Sequence, residues 1–192
     1  MSTQYAMPPY FTWIVDKVLA VSALPFHHSH LNYLKLNKIE TIVSFDDQQK
    51  VPFHTNPFMK VVRFSRGSLS LNDCSHFVYL MEDAKRRGEG VLIHCVKGEE
   101  RAAALALCYI VKLWQCRPDF AIDYYRCIRP SSLENKEFEE LIFQYYDQVK
   151  NSFINLNHKD LKWSRETEFL GKDLDMFIDQ PIPDSYQQRV QF

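Results

Sequence analysis

Apolar positions fall into short continuous runs that alternate with helix-spaced stripes. Residues 18–23 form one apolar run, closed by Pro25, and read as a strand. The β-branched runs at residues 40–45 and 60–64 predict two more strands, and residues 90–94 a further buried one. Between the runs the period becomes helical. Leu31, Leu34 and Leu36 mark a short amphipathic helix over residues 30–37. Phe77, Leu80, Met81 and Ala84 mark a longer one, which Asn72 or Ser70 can cap and which Gly88 stops. Strong helix formers run from 102 to 115 and end before Pro118. Asp119 stands where it can cap the next helix, which runs through Ile128 and ends at Pro130. Residues 135–150 form a last, long amphipathic helix. At the start, Pro8-Pro9 and Tyr10-Phe11-Thr12-Trp13 suggest an extended arm laid onto the core.

Strands alternating with helices predict an α/β domain, a sheet covered by helices, over residues 1–150. Residues 151–192 differ: mixed charge, Pro181, Pro183 and no strong period. They read as a tail, folded back or dangling, with one helix over residues 166–177.

The 192 residues suit one domain of ordinary size, and 46% hydrophobic content suffices for a substantial core. A net charge of −1 argues against bulk attraction to nucleic acid or to an anionic membrane, so neither is expected as a partner. Lys85-Arg86-Arg87 reads as a solvated helix end. No run of 18 apolar residues occurs and the start is polar and uncharged, so neither a membrane span nor a secretory signal is expected. Five cysteines without a Cys-x-x-Cys pair favour unpaired thiols in a reducing compartment, the cytoplasm with the nucleus also open. The cluster His27-His28-Ser29-His30 could suggest a metal. With no cysteine or carboxylate set at ligand spacing, it reads instead as a polar helix start, and no metal site is expected.

The chemistry concentrates in residues 94–101, His-Cys-Val-Lys-Gly-Glu-Glu-Arg, between the last strand and an alanine-rich helix. Cys-x5-Arg alone arises by accident in roughly one chain of this length in five. With His before the cysteine and Gly three residues after it, the rate drops to on the order of a few in ten thousand. A loop curling from strand into helix aims the N–H groups of Val96, Lys97, Gly98, Glu99, Glu100 and Arg101 at one point, an anion nest at a positive helix end. Arg101 adds a planar fork that matches two phosphate oxygens. The same field stabilises the thiolate of Cys95 and makes it a nucleophile near neutrality. Gly98 permits the backbone curl, and His94 holds the loop by hydrogen bonds.

From these residues the chain resembles the cysteine-based dual-specificity phosphatases, nearest their small atypical VHZ type, with a more distant echo of the cell-cycle phosphatase catalytic domain. Further stretches carry the likeness in order: Pro8-Pro9-Tyr10-Phe11-Thr12-Trp13, Ala23-Leu24-Pro25, Ile42-Val43-Ser44, Leu107-Cys108-Tyr109-Ile110-Val111-Lys112, Arg129-Pro130-Ser131-Ser132-Leu133-Glu134 and Phe143-Gln144-Tyr145-Tyr146. It covers about residues 8–150 and leaves out the tail. The resemblance implies a single α/β domain on a central, mostly parallel sheet of about five strands flanked by helices. It also implies no metal or other cofactor, a phosphocysteine intermediate and a phosphorylated protein as substrate.

Three departures bear on activity. Where the family carries an aspartate that protonates the leaving group, this chain has Ser65, and loss of a general acid typically costs about 10²- to 10⁴-fold. Asp73 and Glu134 are the candidate replacements, although capping is the more natural task for Asp73. The residue after the arginine, commonly Ser or Thr, is Ala102, and the water-positioning glutamine of part of the family falls near Phe138. Glu99 and Glu100 either form a solvated rim or oppose a dianion, at about 1 kcal/mol each if water-screened at ~4 Å. The expected function is a slow phosphatase that favours phosphotyrosine over phosphoserine and phosphothreonine. The alternative is a pseudophosphatase that binds phosphorylated partners. RNA 5′-triphosphatase chemistry, with Lys60, Arg63, Arg66 and Lys97 as a basic rim, is weaker because of Glu99, Glu100 and the neutral net charge. Nothing in the pattern speaks to an oligomer.

Overall fold

The computed structural model describes residues 4–45, 56–65 and 67–153. Its elements follow as β1 (Thr12–Val15), β2 (Leu19–Ser22), α1 (His28–Leu36), β3 (Ile39–Ser44), β4 (Lys60–Arg63), α2 (Leu71–Arg87), β5 (Gly90–His94), α3 (Arg101–Trp114), α4 (Pro118–Ile128) and α5 (Lys136–Val149), with a 3-10 turn at Lys150–Ser152. The strands form one sheet in the order β1-β2-β5-β3-β4. Only the β1–β2 pair is antiparallel; β2, β5, β3 and β4 run parallel. The fold is therefore a single α/β domain on a five-stranded, mostly parallel sheet, as the resemblance implied. The tail's predicted helix over residues 166–177 lies outside the described residues, as does Arg66.

Alternation along the strands sorts the core into two layers. Ala20, Leu92 and Ile42 face α1, where Leu31 and Leu34 cover them and Phe11, Trp13 and Tyr33 pack at the edge. Their neighbours Leu19, Val21, Val91 and Ile93 turn to the face carried by α2 and α3. Helix α3 is enclosed by the sheet and by α2, α4 and α5, and every residue from Ala102 to Val111 is buried. That placement explains its alanines: small side chains let a helix covered all round approach its neighbours closely.

Several local expectations need correction. The extended arm is in its second half a strand: β1 pairs with β2, Thr12 opposite Val21 and Trp13 opposite Ala20. Leu36 does not join Leu31 and Leu34 in the core; it is 67% exposed in the last turn of α1. Ser70, not Asn72, caps α2. Arg117 is the N-cap of α4 with Pro118 in its first turn, so Asp119 lies inside the helix, ion-paired to Arg117. The histidine cluster starts a helix, as expected. His27 Nδ1 accepts from the Ser29 N–H at 3.2 Å, and the His27 N–H donates to His30 Nδ1 at 3.3 Å, a capping box made of imidazoles. Among the described residues, no helix is long and apolar enough to cross a membrane.

Candidate active site: the loop after the central strand

The site begins where β5 ends. His94, the last residue of β5, aligns with Ser22 of β2 and Ser44 of β3, and all three are fully buried. In a sheet of this kind the C-terminal strand ends open onto the ligand-binding edge. Cys95 follows at that edge, 6% exposed. The chain then curls through residues 96–100 and enters α3 at Arg101.

Gly98 is required there twice over. Its φ is +76°, and a Cβ added to it would lie 2.6 Å from the Ser22 carbonyl oxygen. The loop rests directly on the end of β2. Its Gly98 N–H donates to Cys95 Sγ at 3.2 Å, so one amide of the expected nest already points at the sulfur.

The other end of the same peptide is held as well. The Lys97 carbonyl accepts from Arg129 Nη2 at 3.4 Å, while Arg129 Nη1 donates to the Tyr10 carbonyl at 2.7 Å and to Thr12 Oγ1 at 2.9 Å. A peptide group carries its C=O and N–H on opposite sides. An outward carbonyl on Lys97 therefore turns the Gly98 N–H inward. Two peptides further on, the Glu99 carbonyl accepts from the Leu133 N–H at 3.0 Å. The segment between α4 and α5 thus buttresses the outer side of the loop. Below it, burial pushes the Tyr125 phenol well above its usual range, with the Arg129 charge opposing the shift.

Arg101 is braced from the sheet side. Its guanidinium carbon lies 5.2 Å from the centroid of the buried Phe45 ring, which packs on Phe64 at 5.9 Å. Phe64 in turn meets Phe77 of α2 edge to face. Val96 and Lys97 point outward, Val96 being 65% exposed. Ala102 is fully buried behind Arg101 and brings no hydroxyl to the loop.

The candidate acids fare differently. Asp73 Oδ2 accepts from both the N–H and the hydroxyl of Ser70, at 2.8 and 2.6 Å, and completes the capping box of α2. Its carboxylate is committed to that helix end. Glu134 lies in the segment that touches the loop, but the contact runs through its backbone N–H, which donates to Glu100 Oε1 at 3.0 Å. Ser65 is exposed, and its Oγ accepts from the Gly67 N–H at 3.2 Å. Arg63 aligns with Ser44 and so with the level of His94, whereas Lys60 stands at the opposite end of β4. The basic rim considered from the sequence is therefore split. Among the described residues no group of three His, Cys, Asp or Glu side chains could hold a metal.

Sequence reasoning missed Arg129 and the amides of residues 133–135. The Arg129-Pro130 pair was visible within the resemblance, but nothing in its spacing from Cys95 indicates contact with the loop.

Solved structures share this architecture. A mouse protein described as a dual specificity phosphatase, complexed with zinc tungstate, is 24% identical with a TM-score of 0.65, covering 79% of this chain and 96% of its own. Human DUSP28 is 19% identical with a TM-score of 0.64, covering 76% and 99%. PTPMT1 in complex with PI(5)P is 15% identical with a TM-score of 0.66, covering 74% and 98%. At these identities the likeness is one of fold. The sequence itself matches the family "Dual specificity phosphatase, catalytic domain" over residues 27–148, without singling out the VHZ type. That stretch runs from α1 to the last turn of α5 and includes the loop after β5, so the chain belongs to the dual-specificity phosphatases and bears their phosphatase domain.

Proposed function

We propose that the chain hydrolyses phosphomonoesters through a phosphocysteine on Cys95, slowly, and favours phosphotyrosine over phosphoserine and phosphothreonine. The observation that carries the reading is the Gly98 N–H aimed at Cys95 Sγ from a peptide whose carbonyl Arg129 holds outward. The Cys95 thiolate attacks phosphorus, the P–O bond to the leaving group breaks, and that oxygen departs with the electron pair. Loop amides and Arg101 take the equatorial oxygens. Water then attacks the phosphocysteine, the P–S bond breaks and the thiolate returns.

The substrate preference follows from proton supply. Ser65 carries no carboxyl, and Asp73 is spent on capping α2. The leaving group must then depart largely as an anion. A phenol of pKa about 10 does so far more readily than a serine alkoxide. Ala102 and Phe138, in place of a hydroxyl and a glutamine, support slow clearance of the intermediate. The natural substrate on this reading is a tyrosine-phosphorylated protein in a reducing compartment.

A binding protein that captures phosphorylated partners without turnover is the second reading, favoured by those same losses. Rapid quenching of an aryl phosphate reaction, followed by intact-mass analysis, separates the two. A burst of phenol with phosphate covalently on Cys95 is expected. Stoichiometric binding with neither burst nor adduct would leave only the binder.

A further inference from the structure

Three consecutive N–H groups ahead of α5 converge on two adjacent residues of the phosphate loop. Leu133 donates to the Glu99 carbonyl at 3.0 Å, Glu134 to Glu100 Oε1 at 3.0 Å, and Asn135 to Glu100 Oε2 at 3.3 Å. Leu133 is buried with φ at +60°, a left-handed conformation that a leucine keeps only when its surroundings impose it. A left-handed residue in such a turn swings successive N–H groups to one side, which is how backbone nests for anions arise. Here the occupant is a carboxylate of the chain itself.

We propose that Glu100 is a positioning residue for phosphate binding: seated on the N–H groups of Glu134 and Asn135, its carboxylate presets the loop before substrate arrives. The inference rests on the reading of residues 95–101 as the phosphate-binding loop. Its mechanical basis is the Glu99–Glu100 peptide. With the Glu99 carbonyl held outward by Leu133, the N–H of that peptide faces the inner side of the curl. The Glu100 carboxylate, two hydrogen bonds further along the same nest, resists rotation of that peptide. Asn135 extends the connection, since its Oδ1 accepts from the Glu137 N–H at 2.9 Å and caps α5. The loop is thereby tied to a rigid helix.

Glu100 is also the N-cap of α3, yet its side chain makes no capping bond to α3. An acidic N-cap normally turns back and occupies the first N–H groups of its own helix. This one serves the neighbouring helix instead, which keeps its charge directed away from the donors that a phosphate would use.

Two views of Glu100 make opposite predictions. As a bare charge beside a dianion, its removal should tighten binding. As a clamp, its removal should loosen it. Glu99 provides the reference, because its side chain makes no hydrogen bond or ion pair among the described residues.

The test measures orthovanadate inhibition, kcat/KM on an aryl phosphate and the thermal midpoint for wild type, Glu100→Ala, Glu100→Gln and Glu99→Gln. Glu100→Ala should bind orthovanadate roughly tenfold more weakly and lose kcat/KM in parallel. Glu100→Gln, the same shape with one oxygen acceptor kept, should fall between it and wild type, with its thermal midpoint unchanged. Glu99→Gln should bind as well as wild type or better. If Glu100→Ala does not fold, Glu100→Gln against Glu99→Gln decides by the same sign. Both Glu100 variants binding orthovanadate as tightly as Glu99→Gln would overturn the clamp. Wild type that binds none would overturn the phosphate-loop reading, and this inference with it.

Discussion

Residues 94–101 and residues 63–73 both follow the C-terminal ends of parallel strands, level with each other across β3. The first stretch is held from every side. Buried His94 anchors it, the end of β2 supports Gly98, Phe45 braces Arg101, and Arg129 with residues 133–135 fixes two of its peptides. The second stretch follows a short edge strand, its Ser65 is exposed, and its one acid in the described part, Asp73, caps a helix. Binding phosphate and attacking it need fixed dipoles, which the first stretch has. Delivering a proton to a leaving group needs a carboxyl, which the second does not offer. On the proposed reading, the attacking half of the site is kept and the proton-supplying half is not.

That contrast can be broken or sharpened by substitution. The largest effect is expected from Cys95→Ser, which should lower turnover of aryl phosphates by at least about 10³-fold while orthovanadate still binds. Retained turnover would move the nucleophile elsewhere. Next comes Gly98→Ala. A methyl 2.6 Å from the Ser22 oxygen, at φ +76°, forces the loop off β2. About 10²-fold lower kcat/KM and a stability loss of about 1–3 kcal/mol in denaturant unfolding are expected. Equal losses from alanine at the exposed Val96 would show that the curl has no special geometry. Ser65→Asp works in the opposite sense. If the missing carboxyl is what limits the second stretch, phosphoserine peptide hydrolysis should rise by roughly tenfold, with aryl phosphates little changed.

Outside the loop, acid should cost a little stability through His30. Burial, and then the neighbouring His27, lower its value from the usual 6.5, so the folded state resists protonation. The unfolded chain binds the proton more readily, and stability therefore falls as pH drops below about 6.5. Protonated His30 also loses the Nδ1 lone pair that accepts from His27. Denaturant melts between pH 7.5 and 5.5 should show the fall, reduced in His30→Gln.

What could be read from the chain alone follows the same division. Strands β2, β3 and β5 were visible because strands buried within a sheet read as continuous apolar runs, and the half-buried edge strand β4 because Val61 and Val62 lead into Phe64. Strand β1, Thr-Trp-Ile-Val, was not, because its apolar run is only three residues long and follows two prolines that read as an extended arm. Cys95, Gly98 and Arg101 announce themselves by spacing, since one tight turn must bring them together. Arg129 and Leu133 act through backbone groups some thirty residues away, and no side-chain pattern marks a partner of a carbonyl. Glu100 looked like a solvated or repelling charge for the same reason: its partners are amides.

The most direct test of the central claim is the leaving-group dependence of phosphoryl transfer, followed by burst kinetics over aryl phosphates of graded phenol pKa. An enzyme that attacks well but supplies no proton should slow steeply as the phenol becomes more basic, with the same slope in Asp73→Asn and Glu134→Gln. A nearly flat dependence in wild type that steepens in either variant would contradict the account, because a side chain would then be protonating the departing oxygen.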